Sequence, residues 1–129
     1  MLDSHDQFTP RLLLDLAPKC ADIKAFQDEH SHLIIGANSP AARQQRLELF
    51  RSTLARLDSE KPGRSEGVYV PTLFSGYCTT HVGSLLEEMG DYQLAQGHLF
   101  NGVQILDRRL GAEHPVVASL VRHVMMHYL

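Results

Sequence analysis

Between two long stretches with helical spacing of apolar residues, the chain reads Leu110-Gly111-Ala112-Glu113-His114-Pro115. No other feature constrains the fold as much. Glycine accepts the left-handed backbone that ends a helix. Proline is preset for the first turn of the next, where its missing N–H is not needed. The segment predicts one helix ending at Leu110 and another running from about Pro115 to Leu129. His114 reads as part of the helix start, its imidazole turning back onto the preceding turn or onto the first N–H groups.

The same punctuation recurs upstream. Gly90 is expected to end a helix from about Pro71 to Met89, with two or three extended residues possible before Pro71. Asp91 is expected to cap the next helix, Tyr92 to about Leu110. That helix carries Ala95, Leu99, Gly102, Val103, Leu106 and Leu110 within an arc of about 100°. Ser39-Pro40 is a hydroxyl cap followed by a first-turn proline. It opens a segment with Leu47, Phe50, Leu54 and Leu57 on one stripe. Nearer the start, Pro10 and Pro18 bracket a short apolar run, and the stretch from Pro18 to Ile34 reads as a helix with Pro18 in its first turn. Ser59 to Gly67 mixes Pro62, Gly63 and Gly67 with charges, so it is expected to be an exposed loop and the first point of proteolysis. No alternating strand of useful length is present. The expected class is all-α, and 129 residues suit one domain.

Composition narrows the function classes. Apolar residues make up 43% and charged residues 21%, ordinary for a globular chain, and a net charge of -3 gives no general case for nucleic acid or an anionic membrane. Arg43, Arg46, Arg51 and Arg56 are spread around their helix with no interleaved aromatics, unlike a nucleic-acid stripe. No apolar run approaches the ~18 residues of a membrane span. The first residues, MLDSHDQF, do not read as a targeting peptide. Cys20 and Cys78, far apart in apolar-periodic runs, read as buried thiols in a reducing compartment, so a cytoplasmic location is expected.

An internal similarity links the last helices. Thr79-x2-Val82-Gly83-x2-Leu86 recurs 42 residues on as Val121-x2-Val124-Met125-x2-Tyr128. Between them lies Gly90-Asp91-Tyr92-x2-Ala95-x3-Leu99-x2-Gly102. Small residues at Gly83, Ala95 and Gly102 predict two antiparallel helices in close approach, with Ala95 facing Gly83. This stretch resembles a tetratricopeptide repeat, with its apolar-small pair, its aromatic, and its Ala followed four residues on by a large side chain. With the Leu110-to-Pro115 linker, it is similar to the longer repeats of kinesin light chains and related proteins. The resemblance covers about residues 76–129. It departs at Thr79, where the family prefers a large apolar residue, and at Gly102, where it prefers Ala. It implies antiparallel helix pairs stacked as a short tetratricopeptide-like α-solenoid. On that reading 1–129 is a single helical-repeat domain, with divergent helices over 1–60 and the repeat-like part over 71–129.

The resemblance also implies a ligand-reading groove on the first helix of each pair. Its walls would carry Tyr77, Thr80, His81, Ser84 and Glu87, then Ser119, Arg122, His123 and Met126. Arg122 would meet a carboxylate and Glu87 a basic residue. The apolar side of the last helix (Val117, Val121, Val124, Met125 and Tyr128) would have no following pair to cover it, and is expected to be an oligomer interface, most simply of a homodimer.

Other constellations carry less. His123 and His127, four apart on one helix, suit two metal ligands, but the Glu of the zinc-protease helix is missing and no third ligand is evident. Glu87 and Glu88 point about 100° apart and do not act as a pair. Cys78 and His81 are near enough to touch on a helix, yet no oxyanion element accompanies them. His30 and His32 lie near a helix end, where a cation is favoured. The expectation is a non-catalytic scaffold or adaptor module that binds a protein or peptide partner, without cofactor, metal, nucleic acid or membrane. The rival readings are an assembly subunit acting through homo-oligomerisation, and a metal or enzymatic protein using His81, His123 or His127.

Overall fold

The computed structural model describes residues 8–36, 39–59 and 72–129. The described residues are helical, with no strand. In order they form a 3-10 segment Pro10–Lys19, α1 (Ala21–Glu29), a single turn α2 (Ser31–Ile34), α3 (Pro40–Ser59), α4 (Leu73–Glu88), α5 (Tyr92–Leu110) and α6 (Pro115–Tyr128). The chain is all-α. The expected loop falls largely outside the described residues, as do the extended residues considered before Pro71.

α4 is the centre of the molecule. From Leu73 to Leu86 it carries no Asp, Glu, Lys or Arg, and every residue from Phe74 to Leu86 is buried. A helix with no charged face has to be covered all round. α5 covers one side and α3 another, while α1 and the 3-10 segment also pack on it. α6 packs on α5 and on the 3-10 segment.

Close packing of α4 on α5 rests on glycine. Added Cβ atoms on Gly76, Gly83 and Gly102 would run into Ile105 and Leu106, into Leu99, and into Thr80 respectively. The pairs Gly76–Leu106, Thr80–Gly102 and Gly83–Leu99 step in opposite directions by equal amounts, which is one antiparallel register along the whole contact. This corrects the expected pairing. Gly83 meets Leu99, not Ala95, and the same register sets buried Ala95 level with Glu87.

Helix ends follow the sequence closely. Gly90 and Gly111 have φ of +86° and +92°. After α4, the Asp91 N–H reaches the Leu86 carbonyl and the Gly90 N–H reaches that of Glu87, the paired bonds of a glycine-terminated helix. Ser39 Oγ accepts from the Ala42 N–H at 3.1 Å, and His114 Nδ1 accepts from the Val116 N–H at 3.2 Å. Thr72, not singled out in the sequence, caps α4 by accepting from the Ser75 N–H. Asp91 precedes α5 but makes no side-chain cap bond.

The first third departs from the reading. Pro18 does not open an α-helix; it lies inside the 3-10 segment, and α1 begins at Ala21. A ten-residue 3-10 run exceeds the usual three or four residues. Its three-residue turn places Leu13 and Leu16 above one another, and both are fully buried. Burial of that single side against the core supports a geometry that local hydrogen bonding alone favours poorly.

Candidate functional site

Short connections force α4, α5 and α6 to run up and down. The last turns of α4 and α6 therefore meet the first turn of α5 at one end of the molecule. There they enclose an open cleft of about 650 Å³, lined by Glu87, Tyr92, Gln93, Gln96, His123, His127 and Tyr128.

Glu87 is its electrostatic centre. It lies in the last turn of α4, where the negative helix pole disfavours a carboxylate. Two donors from α6 offset that. His123 Nε2 donates to Glu87 Oε1 at 2.8 Å and approaches Oε2 at 3.0 Å, and the Tyr128 hydroxyl donates to Oε2 at 2.7 Å. The His123 and Glu87 side chains are only 15% and 20% exposed, so these bonds are shielded from water. Partial burial, then the Glu87 carboxylate it donates to, pushes the Tyr128 phenol above its usual range. The His127 ring lies 4.4 Å from that of His123, and Phe8 flanks His123 at 5.6 Å. Gln93 and Gln96 can each donate and accept, and Tyr92 offers a half-exposed ring. This arrangement can hold polar, hydrogen-bonding ligands. Neither Cys nor Ser lines it among the described residues. Among the described residues, no group of three or more His, Cys, Asp or Glu side chains could hold a metal ion.

The expected groove is split three ways. Glu87 and His123, 36 residues apart, come together in the cleft. Tyr77, Thr80, His81 and Ser84 are all buried: Thr80 packs on Gly102 of α5, while Tyr77 and His81 sit among aromatic rings of α1 and α3, and His81 also reaches the wall of a separate cavity. Tyr77 and His81 join Phe26, Phe50 and Phe74 in an aromatic cluster, with His81 stacked on Phe50 at 4.2 Å. Burial pushes the Tyr77 phenol and the Cys78 thiol up, and holds the His81 imidazole down at about 3. Cys78 is an inert interior thiol in this setting. Ser119 is buried as well. Arg122 and Met126 lie elsewhere on α6, around a shallow apolar hollow with Ala112, Ala118, Val121 and Met125.

The expected oligomer strip is likewise divided. Val117 and Val124 are buried in the core, and Tyr128 is half-buried and bonded to Glu87. Val121 is half-buried, and of the five only Met125 is exposed. The apolar surface actually presented by α6 is centred on Met125 and Met126, at 57% and 61% exposure.

The sequence reading missed Tyr92, Gln93 and Gln96. The Gly90-Asp91 turn was the available signal, since a turn so tight brings the start of α5 beside Glu87. No family model, curated protein or solved structure matches this chain.

Proposed function

We propose that this chain is a small, non-catalytic interaction module that holds an extended segment of a protein partner in the cleft around Glu87. The observation that carries this reading is the convergence of Glu87, His123 and Tyr128 with Tyr92, Gln93 and Gln96 on one accessible concavity. The amides suit a peptide backbone, Tyr92 suits an apolar or cationic side chain, and Glu87 suits a basic one. We read α4, α5 and α6 as one and a half tetratricopeptide-like units of a short solenoid. The unbroken α4–α5 register and the His114-Pro115 helix start support that reading. A cytoplasmic setting accords with two unpaired cysteines and with the absence, among the described residues, of any helix long and apolar enough to cross a membrane. Neither cofactor nor nucleic acid has a place in this scheme.

A photo-crosslinking residue at Gln96 in cells tests it. Discrete protein adducts are expected at Gln96, absent from a control position at Gln104, and lost on Glu87→Gln with Tyr92→Ala. Equal labelling at both positions would overturn the assignment. A second reading, homo-oligomerisation through α6, is favoured by the exposed Met125 and Met126. A sedimentation coefficient that rises with concentration in the wild type, and not in Met126→Glu, would establish it.

A further inference from the structure

α3 and α5 both pack on α4, and toward the start of α4 they leave a valley between them with a cavity of about 370 Å³. That volume is at the small end of the range for ligand pockets. α4 supplies the floor. Its Ser75 and Thr79, four apart and so on one face of the helix, both border the cavity. Each residue is more than nine-tenths buried, at 5% and 7% exposure. The Ser75 N–H is used by the Thr72 cap, and the neighbouring Thr80 hydroxyl by the Gly76 carbonyl. The hydroxyls of Ser75 and Thr79 make no such bond among the described residues, and they are not sealed off from the cavity. Buried polar groups are normally hydrogen-bonded, so two hydroxyls held open on one floor point to a ligand that bonds them.

The walls decide which ligand fits. Asn101 and Gln104 of α5 bring carboxamides, which donate and accept as hydroxyls do. His98 Nδ1 donates to the Leu94 carbonyl at 3.0 Å, which leaves Nε2 of a neutral ring as an acceptor. Leu54 and Ile105 supply an apolar patch. The charges in the described lining, Asp58 and Arg108, have opposite signs and stand exposed on separate helices, so they select neither an anion nor a cation. Neighbouring groups that each donate and accept match a molecule whose own groups do the same, which is the chemistry of adjacent hydroxyls. A ligand without them would displace solvent from the floor and leave its hydrogen bonds unreplaced. We propose that this valley binds a small neutral polyol of monosaccharide size, with hydroxyls on Ser75, Thr79, Asn101 and Gln104 and its C–H face on Leu54 and Ile105.

D-glucose, D-xylose and myo-inositol titrated into the full chain provide the test, followed by methyl and side-chain amide NMR. Cyclohexanol, with one hydroxyl, and serine, a zwitterion that Asp58 and Arg108 could hold, are the comparisons. Saturable millimolar binding of at least one polyol is expected, moving the Leu54 and Ile105 methyls and the Asn101 and Gln104 amides together. Cyclohexanol and serine are expected to bind at least about tenfold more weakly. Ser75→Ala and Thr79→Val are each expected to weaken the polyol about tenfold, with no fall in urea midpoint, because neither hydroxyl has a bond to lose in the free protein. Tyr92→Ala, in the Glu87 cleft, is expected to leave polyol binding intact. No saturable binding of any of the three polyols at tens of millimolar would overturn the proposal. So would equal or tighter binding of cyclohexanol or serine, shifts confined to the Glu87 cleft, or unchanged affinity in both floor variants. The wild-type titrations alone decide this if a variant does not fold.

Discussion

Gly102 lies so close to Thr80 that a Cβ built on it would overlap the Thr80 hydroxyl. That hydroxyl is itself held, donating to the Gly76 carbonyl at 2.8 Å in a buried position. Helix propensity favours Gly102→Ala by about 1 kcal/mol, but overpacking opposes it by roughly 1–3 kcal/mol. The net expectation is destabilisation, read as a lower urea midpoint. Thr80→Ala in the same chain should recover most of the loss, and strict additivity in the double-mutant cycle would contradict the packing described here.

Gly97 provides the opposite case on the same helix. An added Cβ there meets nothing within 4 Å, and the position is exposed. Gly97→Ala should therefore raise stability by about 1 kcal/mol through helix propensity alone. Thermal melts of Gly97→Ala and Gly83→Ala should move in opposite directions, since Gly83 is packed on Leu99.

His81 makes the fold acid-sensitive. Burial, with the charge of Arg46, lowers its folded pKa from 6.5 to about 3. Between those values the unfolded chain binds a proton that the folded chain does not. Its contribution is therefore intact above pH 6.5 and is lost as pH falls toward 3. One such proton corresponds to a slope of about 1.4 kcal/mol per pH unit. Urea unfolding at neutral and mildly acidic pH should show a shallower acid loss in His81→Phe than in the wild type. Parallel pH profiles would remove His81 as the cause.

Tyr128 ties α6 to α4 through Glu87 at 2.7 Å. Tyr128→Phe leaves the ring and removes a donor to a shielded carboxylate, which should cost about 1–3 kcal/mol. With Glu87→Gln as the partner change, the two losses should overlap rather than add. An unchanged melting temperature for Tyr128→Phe would mean the bond contributes nothing.

Neighbouring positions on α6 should respond in contrasting ways. Val124 is 4% exposed, so Val124→Glu buries a charge and should cost about 3 kcal/mol or more. Met126 is 61% exposed, so Met126→Glu should change monomer stability by about 0.5 kcal/mol or less. Chemical denaturation of both variants checks the orientation of the helix.

What the sequence by itself determined were the helix ends of the carboxyl half and the start of α3. Gly90, Gly111, Ser39-Pro40 and His114-Pro115 act through torsion preferences and caps that involve residues two to five positions away, so their effect is written locally. The all-helical class followed from the same periodicity. Tertiary packing decided the rest. The face of α4 that carries Tyr77 and His81 would suit a groove wall as well as a core, and only the arrival of α1 and α3 makes it interior, while Thr80 is closed off by Gly102 of α5. Gly83 takes Leu99 rather than Ala95 because register depends on how two whole surfaces interlock, which no single spacing states. The 3-10 run through Pro18 persists because Leu13 and Leu16 are buried on one side. Glu87 and His123 form a site because three helix ends converge, a consequence of chain reversal that no local stretch contains.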